Sequence, residues 1–324
     1  MDTLVKISQP IAAELEQYKE LFSTVMSHGN DFLGGALNYI KQRKGKLMRP
    51  MMLLLMAKEH GEVGQKALIS AVALEMLHTA SLIHDDVVDE SGERRGQAST
   101  NRAYGNQVAV LLGDYILSLL LRQTALTGDL RIVETVSSLG GTLSEGEIFQ
   151  LSNIERQEVL EEEYYRIIRH KTAALFAACA KLGALSTNAD ETDVERAEKF
   201  GEIVGTCFQI RDDIFDYYDD NRIGKPTGND LMEGKFTLPA IYAINKCADE
   251  KIWKIVEKVK KRTASSDEIA DIVEFTKAHG GIEYARNVMD EYRSEALSLL
   301  HGFSNVDVRH ALTLYLNYVI ERDI

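Results

Sequence analysis

Apolar residues recur three and four positions apart along most of the chain, and no proline interrupts residues 51 to 225. That interval is rich in Ala, Leu, Ile and Glu, so the period and the propensities both predict long helices. Alternating β-branched runs closed by Asn-Gly or Asp-Gly, the mark of hairpins, are missing. No internal repeat, low-complexity tract or Pro/Gly/Ser linker divides the chain. The expectation is one all-α domain over residues 1–324.

The breaks between helices follow a pattern. "KQRKGKLMRP" (41–50) ends one helix and begins another. "ESGERRGQASTNRAYGN" (90–106) and "DDNRIGKPTGNDLMEGK" (219–235) are polar, glycine-punctuated loops. Each follows an apolar helix that ends in aspartates, "SLIHDDVVDE" in the first case and "GTCFQIRDDIFDYY" in the second. The same design occurs twice, about half a chain apart.

Composition narrows the function. With 324 residues, 45% hydrophobic and 27% charged, the chain is long enough for a large core. A net charge of −13 without any basic block argues against nucleic acid as a partner. An acidic protein that handles anions must place its cations locally or import them as metal ions. The three cysteines (Cys179, Cys207, Cys247) form no CxxC pair, which points to a reducing compartment and away from a zinc site. "MDTLVKISQP" does not read as a signal peptide, and the longest apolar run, "VAVLLGDYILSLLL", is broken by Asp114. The expected location is the cytoplasm, without an integral membrane segment.

In a helix, positions i, i+1 and i+4 fall within about a 100° arc. Asp85, Asp86 and Asp89 therefore share one face, as do Asp212, Asp213 and Asp216. Each triplet lies at a helix C-terminus, the negative end of the macrodipole, where like charges disfavour folding. A multivalent cation offsets that cost. Hard oxygen donors suit Mg²⁺, which takes one or two carboxylates and fills its octahedron with water and phosphate. One such triplet is more often a solvated helix end; two in matched context point to a diphosphate held through magnesium.

Basic residues stand where a diphosphate needs them. Lys46 and Arg49 flank the turn after Gly45, Arg94 and Arg95 follow the first triplet, and Lys225 and Lys235 follow the second. Arginine offers phosphate a fork, lysine a point charge. His78, two turns before Asp85, is either a phosphate donor or a core histidine. Lys171 and Thr172 begin the alanine-rich segment "HKTAALFAACAKLGA". Gln209, one turn before Asp212 and Asp213, is either an amide facing developing positive charge or an ordinary packing amide.

"GKLMRP", "LIHDDVVDESGERRG", "HKTAALF", "FQIRDDIFDYYDD" and "GKPTGNDLMEGKFTLP" resemble, in order and spacing, the motifs of trans-type isoprenyl (polyprenyl) diphosphate synthases. The match covers residues 40 to 240. The resemblance implies a single large helical bundle around a deep central cavity, the isoprenoid synthase type, acting as a homodimer. It implies Mg²⁺, about three ions, and head-to-tail condensation of isopentenyl diphosphate with an allylic diphosphate. By the same resemblance, Asp85, Asp89 and Asp212 bind the metal, supported by Asp86, Asp213 and Asp216. Arg94, Lys171, Lys225 and Lys235 hold the allylic diphosphate; Gly45, Lys46, Arg49, His78 and Arg95 hold the isopentenyl diphosphate. Gln209 and Thr172 shield the carbocation.

Product length is read from the helix before the first triplet. Ala80 and Ser81 lie one turn (~5.4 Å) below the metal site and Leu77 lies deeper. Relatives making short products close the tunnel here with aromatic residues, so the small pair implies a hexaprenyl to nonaprenyl product, such as octaprenyl, for a quinone side chain. Ala80 also suits a helix contact. The alternatives are a geranylgeranyl or farnesyl diphosphate synthase, a class I terpene cyclase, and a non-catalytic partner subunit. Arg322, in the C-terminal "YVIERDI", is a further candidate to cover the isopentenyl site.

Overall fold

The computed structural model describes residues 2–42, 45–94, 96–156, 159–218, 227–247 and 249–322. The fold is all-α. In chain order the first helices are α1 (Thr3–Ser8), α2 (Ala12–Val25), α3 (Asp31–Lys41), α4 (Met48–His60) and α5 (Gln65–Val88). A two-residue antiparallel ribbon, β1 (Glu93–Arg94) with β2 (Gln97–Ala98), then pairs Glu93 with Ala98. Next come α6 (Thr100–Tyr104), α7 (Asn106–Leu126), α8 (Leu130–Arg156) and α9 (Glu161–Ile168). A π-helical turn (Arg169–Ala173) leads into α10 (Ala174–Ser186) and α11 (Glu191–Phe215). The chain ends with α12 (Asn229–Met232), α13 (Leu238–Lys246), α14 (Glu250–Lys260), α15 (Ser266–Ala278), α16 (Gly281–Leu300) and α17 (Val306–Glu321). The polar segment 90–106, expected as a loop without strands, thus carries the ribbon and a short helix.

The chain forms two compact units: residues 1–141, 175–201 and 303–315, and residues 142–174, 202–302 and 316–324. In the first unit α4 and α5 are the core helices. From Met51 to Ala57 every side chain of α4 is buried, and a helix apolar on all sides belongs in an interior. Each such Leu or Met contributes roughly 1.5–3 kcal/mol. α10 approaches α4 closely enough that a Cβ on Gly183 would lie 2.4 Å from the Leu53 carbonyl oxygen. α7 covers α5 in the same way: a Cβ on Gly113 would lie 2.1 Å from His84 Nε2. His84 is therefore a packing residue, its Nε2 3.2 Å from the Val110 carbonyl oxygen.

Among the described residues, two helices are long and apolar enough to cross a membrane, α5 and α7, each with mean hydropathy 1.4. Two thirds of the α5 window is buried inside the protein, as a core helix requires. α7 leaves Val110, Leu111, Leu121 and Leu126 exposed.

In the second unit α13 is central. Pro239 sits in its first turn, where a missing N–H is harmless. A Cβ on Gly281 would lie 2.3 Å from the Pro239 carbonyl oxygen, which brings the start of α16 against α13. α15 begins with a capping box between Ser265 and Glu268.

Candidate active site

The first aspartate triplet ends α5, and its members differ in kind. Asp86 is fully buried, Asp85 is half-buried, and Asp89 is the exposed C-cap. Asp86 Oδ1 accepts from Arg94 Nε at 2.6 Å, and its backbone carbonyl accepts from Asn101 Nδ2 at 2.9 Å. The ribbon turns Arg94 back onto the helix end, and the guanidinium offsets the burial of the carboxylate. Asp85 and Asp89 remain the outward members.

Beside this helix end, α2, α3 and α5 enclose a cleft of about 710 Å³. It brings together Gly45, His78 and Arg94, three residues named from the sequence. Lys46 is exposed at the turn into α4, where Leu47 adopts a left-handed φ of 52°. Arg49, in the first turn of α4, lays its guanidinium over the Phe176 ring at 5.2 Å. Its Nε is buried without a hydrogen-bond partner. A buried arginine N–H left unmade is costly, and an anion satisfies it. Arg95 lies outside the described residues.

The α5 residues on the cleft wall are Glu75, His78, Thr79, Leu82 and Ile83. Leu77 and Ala80, expected along the product tunnel, are 5% and 0% exposed. Leu77 Cδ1 lies 3.9 Å from where a Cβ on Gly140 would stand. Ser81 is half-buried, its hydroxyl donating back to the His78 carbonyl at 2.9 Å.

The second triplet ends α11 and repeats the division of labour. Asp213 is 3% exposed: Oδ2 accepts from Tyr164 O–H at 2.6 Å and Oδ1 from Gln209 Nε2 at 2.8 Å. Burial, followed by the nearby Asp230 carboxylate, raises its pKa well above the usual carboxylate range, and the two hydrogen bonds pull it back. Burial and Asp213 together push the Tyr164 phenol up. Asp216 accepts from the backbone N–H groups of Asn229 and Asp230 at 2.9 and 3.2 Å, and so fastens the start of α12. Asp212 stays half-buried, its Oδ1 taken by Arg322 Nη2. The C-terminal arginine thus meets the second aspartate triplet. In both clusters the second aspartate is an internal anchor.

Gln209 Oε1 accepts from Thr172 Oγ1 at 2.7 Å. Thr172 and Lys171 lie within the π-helical turn, not in a regular helix as the alanine-rich sequence suggests. Such turns widen the backbone and gather at functional sites. Lys171 Nζ is held by Glu147 Oε2 at 3.0 Å and Gln150 Oε1 at 3.1 Å. Lys235 follows Gly234, which needs its positive φ of 80° for the turn, and pairs with Glu233 Oε2 at 2.6 Å. Lys225 lies outside the described residues.

Lys171, Thr172, Gln209, Asp213 and Lys235 line one cavity of about 190 Å³ in the second unit. Its wall also includes Tyr164, Gln150, Asp230 and Lys260, which sequence reading missed. Asp230 lies within the "GKPTGNDLMEGKFTLP" motif, whose lysines drew the reading away from it, and the other three belong to no motif. Ile167, Ile168, Phe236 and Ile241 complete the wall and make it partly apolar.

Among the described residues, no three His, Cys, Asp or Glu side chains form a closed metal cage. The donor set nonetheless fits magnesium. Asp85, Asp89 and Asp212 are hard-oxygen groups with solvent access, and Mg²⁺ keeps water and phosphate in most of its positions. Asp86, Asp213 and Asp216 are committed to internal hydrogen bonds.

The polyprenyl synthetase family pattern matches residues 30–276. Octaprenyl diphosphate synthase of Escherichia coli is 34% identical over 286 residues, 88% of each chain. Among solved structures, geranylgeranyl pyrophosphate synthase from Bacteroides thetaiotaomicron is 45% identical, with a TM-score of 0.87 over 99% of this chain and 100% of that one. A decaprenyl diphosphate synthase from Rhodobacter capsulatus is 31% identical, with a TM-score of 0.91 over 98% and 99%. The all-α fold is that of the isoprenoid synthases. The chain belongs to the polyprenyl synthetase family, transferases that condense isopentenyl diphosphate with an allylic diphosphate.

Proposed function

We propose that this transferase extends its allylic primer repeatedly to a medium- or long-chain all-trans polyprenyl diphosphate, in the hexaprenyl to nonaprenyl range, for a quinone side chain. The observation that carries the chemistry is the Thr172–Gln209–Asp213 chain of hydrogen bonds in the wall of the second-unit cavity. It sets an amide oxygen in the same cavity wall as Lys171 and Lys235, where positive charge develops when an allylic diphosphate departs.

Asp85, Asp89 and Asp212 would hold Mg²⁺, about three ions. When bound, magnesium supplies the positive charge that stabilises departing diphosphate. Lys171, Lys225, Lys235 and Arg94 bind the allylic diphosphate. Lys46, Arg49, His78 and Arg95 bind the isopentenyl diphosphate, with Gly45 letting the backbone approach; the unmade Arg49 N–H supports this reading. The Gln209 oxygen and Thr172 face the allylic cation, and the isopentenyl double bond, held close, attacks it. The apolar wall at Ile167, Ile168, Phe236 and Ile241 keeps out water that would quench the cation. No side chain is needed as the base, because the released diphosphate takes the proton.

The product range rests on the octaprenyl and decaprenyl synthases among the relatives and on the small residues Ala80 and Ser81, which add no aromatic bulk to α5 although neither lines the described cleft. The 45% identity to a geranylgeranyl pyrophosphate synthase favours a shorter product as the second reading. One assay decides. The protein is incubated with Mg²⁺, isopentenyl diphosphate and farnesyl diphosphate, and product length is read by chromatography. Chains of thirty or more carbons support the first reading, and accumulation at twenty carbons supports the second. Hydrocarbon release or no turnover overturns both.

We read the functional form as a cytoplasmic homodimer, the two units acting as one catalytic domain. The exposed apolar residues Val110, Leu111 and Leu121 on α7 fit a second copy of the chain. Three free cysteines fit a reducing compartment.

A further inference from the structure

We propose that Tyr164 is a positioning residue that fixes which end of the Gln209 amide faces the allylic cation. A glutamine amide has two orientations related by a half-turn, one presenting oxygen and the other N–H. Only the first stabilises a cation. In the structure Gln209 Nε2 donates to Asp213 Oδ1 at 2.8 Å, and Oε1 accepts from Thr172 Oγ1 at 2.7 Å. A flipped amide would set its oxygen against the Asp213 oxygen, acceptor against acceptor. With Oδ1 unprotonated, Asp213 therefore decides the polarity by accepting from Nε2. Thr172 uses one lone pair of the amide oxygen and leaves the other for the cavity.

What holds Asp213 is Tyr164. Its hydroxyl donates to Oδ2 at 2.6 Å, so rotation of the carboxyl would break a hydrogen bond inside the protein. Tyr164 is 6% exposed on α9 and packs edge-on against Tyr165 at 5.4 Å between ring centroids, so the phenol has little freedom to follow a moving partner. Tyr164 thus acts on the reacting carbon through two intermediaries. Small preorganised groups of this kind govern rate more than binding.

This inference rests on the reading of Gln209 given above, and the experiment separates the two. Tyr164→Phe, Gln209→Leu and the double variant are assayed with wild type for kcat, for the KM of each substrate and for Tm. The expected result for Tyr164→Phe is a loss of roughly tenfold in kcat, the worth of one hydrogen bond to a charged group. Both KM values should stay within about twofold, because only the rate of ionisation is touched. The double variant should turn over no more slowly than Gln209→Leu alone. Replacing Tyr164 with 4-aminophenylalanine, which keeps the ring and a donor, should restore kcat; it also serves if the Phe variant fails to fold. Unchanged kcat in Tyr164→Phe, multiplied losses in the double variant, or no rescue by the amino analogue would each overturn the proposal while leaving the prenyltransferase reading intact. An inactive wild type would overturn that reading and this proposal with it.

Discussion

Arg322 and Asp212 stand 110 residues apart in sequence and form an ion pair at the end of α11. The guanidinium lies over the Phe208 ring at 4.0 Å, and the Arg322 carbonyl accepts from Arg211 Nη2 at 2.8 Å. The C-terminal segment is therefore fastened to the aspartate that would hold a metal. Arg322→Ala should lower stability by roughly 1–2 kcal/mol through the lost stacking and hydrogen bonds. The same variant should need less Mg²⁺ for half-maximal thermal stabilisation, since no guanidinium competes for Asp212. Melting curves across a magnesium titration check both; an unchanged half-point would show that the pair does not compete with the ion.

Two members of the first triplet, one buried and one exposed, should separate stability from activity. Asp86→Ala removes the buried partner of Arg94 and should cost roughly 3 kcal/mol in urea unfolding. Asp89→Ala, at an exposed C-cap, should change stability by about 0.5 kcal/mol or less. Its turnover should nonetheless fall roughly a hundredfold. Equal stability losses at the two positions would contradict the division between anchor and ligand.

Ala80 is fully buried on α5 one turn below Asp85. Ala80→Phe should shorten the product and, by overpacking, destabilise the protein by roughly 1–3 kcal/mol. Chromatography of the products beside a melting curve tests it. A folded variant with unchanged product length would move the growing chain to another face of the helix.

Burial pushes the thiols of Cys179 and Cys207 up to about 12, against the usual 9.0. The folded state then keeps protons that the unfolded state releases. Their contribution to stability is complete below pH 9 and is lost as pH rises from 9 to 12. Alkylation at pH 8 should label Cys247, the half-buried one, and spare the other two until the chain unfolds. Mass spectrometry of native and urea-treated protein reads the difference.

The local features are legible in the amino-acid order. The helices follow from the three-and-four spacing, and the DDxxD intervals place each triplet on one face at a helix end. Lys171, Thr172, Gln209 and Lys235 share one cavity, whereas Arg94, grouped from the sequence with the allylic-diphosphate lysines, lines the cleft of Gly45 and His78 instead. The π-helical turn at Arg169–Ala173 leaves no sequence signal, because its residues carry ordinary helix propensities. The Tyr164–Asp213 bond spans 49 positions, and Tyr164 lies in no motif.

Sequence alone determined that the long apolar-periodic segments are helical and which carboxylates share a helix face, because those relations depend on spacing within a few turns. The short helices α6 and α12 fell in segments expected as loops. Only the tertiary structure decided that Asp86 and Asp213 turn inward, that Arg322 closes on Asp212, and that the cleft is walled by Glu75 and Thr79 while Ala80 is sealed. The reason is physical. Burial and hydrogen-bond partners at these positions come from helices distant in sequence, and which face of a helix meets which neighbour is set by packing.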